Sequence, residues 1–479
     1  MVYNSFFFIV CFPLVFLLYY VIPVKFKQAR NLFLLVVSYA LYIRWKPAFA
    51  LILLGVTLVT YLGGLLLEEK EELFTNLSKR RKRLVWIFTF MGLLPLIVFK
   101  YYNFLNDSIC SGLNSLGINF SLPGLNWAIP IGISFFTFQA VGYMLDVYHN
   151  RIKAEKNFID YALFISFFPS ILSGPINKAS LVLPQIKNLR PYFDYNKAVE
   201  GLKMLLWGMF MKVVVADRVG LYVDTILPYY NNYSGLTCFT ASIFYTIQIY
   251  SDFAGYSLMA LGVGKVLGFE LTENFRRPYF AVSVTDFWRR WHISLSTWLK
   301  DYVYIPLGGS RCSKIRNYWN IFVTFLVSGI WHGANWTFIV WGIWHGLFQI
   351  IEKALGQQKC EYGWFGKSLK ILITFLLVNF AWIFFRMPTL TDAVGVFKRI
   401  IDFNQPFSLD IGSRHIFLLM VIGTIILFIK DLFDEFMPNR LKLFNSENKI
   451  VRWTSYIIVM VLILLTGVFD AGQFIYSNF

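Results

Sequence analysis

Two histidines sit in one uncharged segment of a 479-residue chain that has only five. The segment, "WHGANWTFIVWGIWHG" at 331–346, repeats Trp-His-Gly with the copies beginning 13 residues apart. No Asp, Glu, Lys or Arg occurs from Asn317 to Ile351. Neutral imidazole is the side-chain base best matched to pH 7, and burial favours the neutral form. Such a base can take the proton of a sugar hydroxyl as its oxygen attacks an acyl carbonyl. One helix over the whole run would be roughly 50 Å long, so it must tilt or break. Gly329, Gly333, Gly342 and Gly346 offer break points. If 331–346 is helical, His332 and Asn335 share a face, with Trp336 beside them. His345 then lies about 20 Å farther along and about 140° round. On that geometry the two histidines cannot serve one reaction centre. At most one is the base; a histidine that only packs has its imidazole satisfied by a neighbouring polar group. Spacing alone does not choose between them.

A second cluster, "ENFRRPYFAVSVTDFWRRWHISLSTWLKDYVYIPLGGSR" at 273–311, mixes Trp, Arg and His. Pro278 on one side and Pro306 with Gly308-Gly309 on the other bracket a short helix predicted to start near Thr285 or Asp286. On it Arg289 is three residues from His292, and Trp288 and Ser296 are each four away, so all four share a face. The stretch is too charged to span lipid and fits an interfacial or re-entrant helix lining a cavity. Arg276, Arg277, Arg289 and Arg290 suit the phosphate oxygens of an acyl donor, or else snorkel to headgroups. A third signal is Asp252 in "QIYSDFAGYS", beyond the uncharged stretch Thr225–Ser251. An ionisable residue so placed is a functional candidate, against the alternative of a helix-end carboxylate bonded to backbone or a nearby Arg. Asn335, Trp336, Arg289, Asp252 and Ser296 are thus the candidates for substrate or donor binding.

Other chemistries find no support. There is no GxSxG elbow, P-loop or GxGxxG. The five cysteines (Cys11, Cys110, Cys238, Cys312, Cys360) lack CxxC spacing, so neither a metal site nor a disulfide framework is expected, and Cys110 should be a free thiol. No bound cofactor is expected either.

The elements that must position these residues are membrane helices. The chain is 57% hydrophobic and 15% charged, with a mean hydropathy of +0.57. Uncharged runs of near-spanning length, such as Met1–Val24, Pro47–Leu67 and Leu84–Phe99, predict an all-α polytopic membrane protein with about eleven crossings. The runs are continuous rather than alternating, which excludes a β-barrel. The net charge of +17 reflects Lys and Arg beside the spans, as in Lys79-Arg80-Arg81-Lys82-Arg83, and nucleic acid is not an expected partner. Loops near 25–30, 68–83 and 149–157 are assigned to the cytoplasm, and the N-terminus and loop 101–126, which lacks Lys and Arg, to the outside. The first apolar stretch has no basic region before it and is read as a retained span. A single membrane domain is expected over 1–479: scaffold spans at 1–105, a catalytic core at 127–351 and ordinary spans at 366–479. The core is rich in Gly, Pro and isolated charges, as irregular backbone inside a membrane protein requires. A transporter or flippase would predict inverted repeats, and none is visible.

Five ordered motifs carry a resemblance over roughly residues 5–470: "GISFFTFQAVGYMLDVY", "SGPI", "QIYSDFAGYS", "NFRRPYFAVSVTDFWRRWHISLSTWLKDYVYIPLGGSR" and "GIWHGANWTFIVWGIWHG". With them the chain resembles the membrane-bound O-acyltransferase family. It looks most like the bacterial branch holding the alginate O-acetyltransferase membrane subunit and, more distantly, the teichoic acid D-alanyl transfer protein. The resemblance implies spans and short re-entrant helices around a central funnel. It implies an essential histidine in the WHG motif, here His332, and a second functional histidine in the RRWHISLS stretch, here His292. The later pair His345-Gly346 receives no catalytic role. The implied donor is acetyl-CoA or an acylated carrier protein in the cytoplasm. The implied route runs outward across a bacterial cytoplasmic (inner) membrane to a polysaccharide hydroxyl, or first to a secreted or membrane-anchored SGNH-type partner. "TENFRRPYF" and "YIPLGGSR" favour the alginate-type branch over D-alanyl transfer.

Overall fold

The computed structural model describes all residues except 1–2, 4, 69–74, 172–173, 189–192, 357–362, 403, 405, 439–443 and 470–479, and the side chains of 75–78. Cys360 and Ser173 of the "SGPI" motif therefore lie outside the described residues. Every regular element described is helical, as the apolar runs predict. The chain forms two compact units, one of Met1–Gly201 with Val263–Thr272, the other of Leu202–Gly262 with Glu273–Phe479.

The first unit holds α1 (Phe6–Val21), α2 (Lys27–Ile43), α3 (Pro47–Leu67), α4 (Thr75–Leu96), α5 (Tyr102–Ser115), α6 (Ile133–Tyr148), α7 (Phe158–Ser166), α8 (Phe168–Ile171) and α9 (Ala179–Lys187). Its centre is α6, the first of the ordered motifs, which is buried along nearly its whole length and packs on α3 and α4. A polar residue so buried must be bonded. Gln139 on α6 meets this by donating to the Phe164 carbonyl at 2.6 Å and accepting from Asn177 N–H at 3.1 Å.

In the second unit, entered within α10 (Tyr195–Met209), come α11 (Asp217–Ile226), α12 (Gly235–Val266, whose last turn belongs to the first unit), α13 (Val284–Arg290) and α14 (Ile293–Leu299). They are followed by α15 (Lys314–His332), α16 (Trp336–Ala354), α17 (Trp364–Arg386), α18 (Leu390–Ile400), α19 (Arg414–Phe436) and α20 (Lys449–Thr466). A π-helical turn at Phe210–Ala216 joins α10 to α11 and packs on α19 and α20. The tightest pairing is the hairpin of α15 and α16. A Cβ on Gly329 would overlap the Phe338 carbonyl oxygen, and one on Gly342 would overlap that of Phe325. Small residues here let the two backbones touch.

By length and apolar content, five described segments suffice to cross a bilayer: Pro47–Leu67, Lys79–Ser115, Trp364–Arg386, Arg414–Phe436 and Lys449–Thr466. Phe6–Val21 and Val24–Ile43, bent by 107°, make a sixth if taken as one broken span. That is fewer than the expected crossings. The helices that would raise the number are long enough: α15 and α16 have 19 residues each, roughly 28 Å at the α-helical rise. Lys314 and Arg316 at the start of α15, Glu352 and Lys353 at the end of α16, and the Trp, Asn, Gly and His between them keep both below the apolarity of a plain span.

Candidate active site

Three histidines of the second unit are buried together through aromatic rings. His332 is the last residue of α15, where the single helix of the sequence expectation ends. Gly333 is extended, Asn335 caps the next helix, and α16 starts at Trp336. The break has a steric cause. A Cβ at Gly333 would strike the Phe338 ring, so only glycine lets the chain reverse at that point. The reversal places Trp341 against both imidazoles, with ring centroids 4.8 Å from His332 and 4.9 Å from His345. The two histidines are therefore at most about 9.7 Å apart, half the separation that a continuous helix demands. That expectation is corrected: the two WHG copies face one aromatic cluster.

The same break separates Asn335 and Trp336 from the face of His332. Asn335 Oδ1 accepts the Thr337 N–H at 3.0 Å as helix cap, and its Nδ2 donates to the Pro388 carbonyl at 2.7 Å. Trp336 is 54% exposed. His332 instead meets Trp331, Trp341 and Phe385, with centroids at 4.9, 4.8 and 5.2 Å.

His292 reaches this cluster from another segment, and here too the predicted helix divides. α13 starts at Val284, capped by Ser283 Oγ accepting from Asp286 N–H at 3.0 Å, and ends at Arg290. His292 then takes a left-handed conformation (φ 43°) before α14 begins. A non-glycine residue held there carries strain of about 1–3 kcal/mol, so its surroundings must fix it. Asn274 does so. Its Oδ1 accepts from Ser294 N–H at 3.1 Å and Ser294 Oγ at 2.9 Å and lies 3.2 Å from His292 Nδ1. Its backbone carbonyl accepts the Ile293 N–H at 3.0 Å. Phe253 packs edge-on against the imidazole at 4.7 Å, and Trp331 lies 5.8 Å away. Trp331 thus contacts His292 and His332 alike.

The expected common face of Arg289, Trp288, His292 and Ser296 does not form. Arg289 is exposed while His292 is fully buried. Ser296 binds backbone, with its N–H on the His292 carbonyl at 2.9 Å and its Oγ on the Trp291 carbonyl at 3.3 Å. Trp288 turns toward His345, 5.2 Å between ring centroids. Of the other arginines, Arg277 and Arg290 both pair with Glu435, each at 2.8 Å.

His345 has no polar neighbour of the kind expected. Among the described residues neither ring nitrogen has a hydrogen-bond partner. Phe287 stacks parallel to it at 6.2 Å, with Trp288, Trp341, Phe325 and Trp382 around it.

Asp252 is buried in mid-α12, one residue before Phe253, and pairs with Lys212 Nζ at 2.7 Å. Lys212 also pairs with Asp217 at 2.7 Å. The carboxylate is therefore ion-paired with a lysine on the π-turn. Sequence reasoning passed over Lys212 and Asn274. Lys212 was detectable by the rule that found Asp252, since it stands in the apolar run Met204–Ala216 with no other charge. For Asn274 no pattern announces the left-handed turn that it closes. Among the described residues Cys11, Cys110, Cys238 and Cys312 are free thiols and no group of His, Cys, Asp and Glu has the arrangement of a metal site.

Comparison with known proteins identifies the family. Residues 148–387, which contain all three buried histidines, match the model of the membrane-bound O-acyltransferase family. The probable alginate O-acetylase AlgI of Pseudomonas syringae pv. tomato is 39% identical over 407 residues, 85% of this chain and 76% of that protein. The peptidoglycan O-acetyltransferase of Helicobacter pylori is 34% identical over 433 residues, 84% of this chain and 80% of that protein. The teichoic acid D-alanyltransferase of Bacillus subtilis is 29% identical over 211 residues, 42% of this chain and 53% of that protein. The chain belongs to the membrane-bound O-acyltransferase family and is a multi-pass O-acyltransferase.

Proposed function

We propose that this protein moves an acetyl group from a cytoplasmic donor across the bacterial cytoplasmic membrane for O-acetylation of an exported or cell-surface polysaccharide. The observation that carries the reading is the burial of His292 and His332, from separate segments, against one tryptophan inside the region that matches the family. His332 is the base or relay and His292 assists. The donor is a thioester, acetyl-CoA or an acylated carrier protein. As the acceptor oxygen bonds to the acyl carbon, His332 takes the hydroxyl proton. The carbon–sulfur bond breaks, and the departing sulfur takes that proton. The acceptor is a polysaccharide hydroxyl, or first a hydroxyl of a secreted or membrane-anchored SGNH-type partner. Ser296 and Asn335 brace and cap the helices that carry the histidines, Asp252 is held by Lys212, and the outward-facing Arg289 and Trp336 are left to contact donor or substrate outside the buried cluster. About eleven crossings are counted in all, α12, α15 and α16 among them, with the N-terminus outside.

His332→Ala should abolish polymer-bound acetate, measured after saponification, in a protein that still inserts to wild-type level. Normal acetate release from that variant sinks the assignment. The same assay separates the second reading, favoured by the D-alanyltransferase match, because that activity releases alanine. Reporters fused at Asn114 and Lys79 should read extracytoplasmic and cytoplasmic respectively; the reverse pattern overturns the orientation.

A further inference from the structure

A cavity of about 460 Å³ opens in the second unit between α12, the turn at Pro278–Phe280, α17 and α19. Its size falls within the range of about 300–1,000 Å³ typical of small-molecule sites. The walls are apolar and aromatic, with Ile247, Tyr279, Phe375 and Phe428 prominent. A few polar groups interrupt them, Asp431, Thr424 and Ser368 among them. Asp431 is engaged by the Tyr250 hydroxyl, which donates to it at 2.7 Å. Thr424 Oγ is buried and has no hydrogen-bond partner among the described residues.

The position of the opening limits what can enter. α17 and α19 both qualify as membrane spans, and Leu372, Ile425 and Phe428, which line the cavity on these helices, are about half exposed. The opening on this side therefore faces hydrocarbon, and an occupant arriving through it must be soluble in hydrocarbon. One end, by contrast, is basic. Ser368 lines the cavity there, and the adjoining Lys367 places its ammonium 5.0 Å from the centre of the Phe436 ring. Phe436 in turn packs at 5.5 Å on Phe280 of the cavity wall. The described residues give Lys367 no carboxylate partner, whereas nearby Arg277 and Arg290 share Glu435. An apolar slot open to lipid and ended by an available cation has the polarity of a phospholipid.

We propose that this cavity holds one acyl chain of an anionic membrane phospholipid, whose phosphate meets Lys367. The site is separate from the acyl-transfer cluster but shares a wall with it. Tyr279 lines the cavity and lies 6.2 Å from both Phe287 and Trp291. A test variant should therefore fill the cavity from α19, away from that wall.

The full chain, reconstituted in lipid nanodiscs, is exposed to phosphatidylglycerol carrying a photoactivatable diazirine on one acyl chain, and labelled peptides are mapped by mass spectrometry. Labelling should concentrate at Phe375, Thr424 and Phe428, exceeding that at Leu464 and Leu465, exposed residues of α20. Thr424→Trp should remove the cavity labelling and leave the α20 labelling intact. Unlabelled phosphatidylglycerol should compete better than phosphatidylcholine of the same chains, and Lys367→Gln should erase that preference. Labelling no higher in the cavity than on α20, or unchanged by Thr424→Trp, overturns the proposal, as does equal competition by the two lipids in the wild type. If Thr424→Trp does not insert, the wild-type map and the competition decide. The readout is lipid contact, so its failure leaves the acyl-transfer reading standing.

Discussion

At His292 the imidazole sits on Asn274 Oδ1, and two further hydrogen bonds to that oxygen close the strained turn behind it. At His345 an equally buried imidazole is enclosed by Phe287, Trp288, Phe325, Trp341 and Trp382, with no hydrogen bond to either nitrogen among the described residues. The two differ in what fixes the ring. Directional bonds set the orientation of His292, and they fail if one partner is lost. Shape sets that of His345, and it tolerates any ring that fills the space. His332 lies between the two and touches Trp331 on the one side and Trp341 on the other.

The contrast can be broken most forcefully on its polar side. Lys212→Met leaves Asp217 and Asp252 buried without their shared cation, next to the Phe253 that packs on His292. A loss of about 3–5 kcal/mol is expected for such a broken buried pair, read as a large fall in the thermal midpoint of the purified protein. Restoring neutrality with Asp252→Asn and Asp217→Asn should recover part of it. Next, Asn274→Ala removes the acceptor that closes the His292 turn, at a cost of about 1–3 kcal/mol. Polymer acetate should fall by more than the loss of folded protein explains. Asn274→Asp, which keeps the oxygen, should retain more activity, and equal damage from both would show that the oxygen is not what positions His292. On the hairpin, Gly333→Ala should cost about 1–3 kcal/mol by driving a methyl group into the Phe338 ring. Phe338→Leu should restore folding in that background. The smallest effect is expected at the cage. His345→Phe replaces a polar ring with an apolar one of similar shape and should shift stability by less than about 1 kcal/mol, because no hydrogen bond is lost. Acetylation should persist. If His345→Phe proves as damaging as His332→Ala in an equally folded protein, His345 takes part in the chemistry and the contrast collapses.

The helical membrane class was legible because uncharged runs of spanning length admit few other structures. The family was legible too, from its ordered motifs. What failed was local geometry. Helical periodicity assumes a continuous helix, and both stretches that mattered are interrupted, at His292 by a left-handed non-glycine residue and at Gly333–Asn335 by a reversal. Those breaks scattered the predicted faces: Arg289 and Trp336 went outward, while Asn335 and Ser296 became caps and braces. They also brought His345 closer than its spacing allowed. The break at His292 has no sequence signature, since Asn274, distant in the chain, imposes it. The one at Gly333 fell on a glycine that the sequence offered as a break point, but three other glycines offered the same, and the Phe338 ring that decides between them is visible only in the fold. The crossings were hard to read for a related reason. α15 and α16 are long enough but too polar, which suits helices that face protein on most sides.

The touching backbones at Gly329 and Gly342 bear on how the molecule moves. Side chains that interdigitate can slip by changing rotamers, but two backbones in contact leave no such freedom. α15 and α16 should behave as one stiff lever, with His332 near the tip of one arm and His345 partway down the other. Displacements during turnover are then confined to hinges at the hairpin's outer ends, and amide exchange along its inner faces should rank among the slowest in the protein.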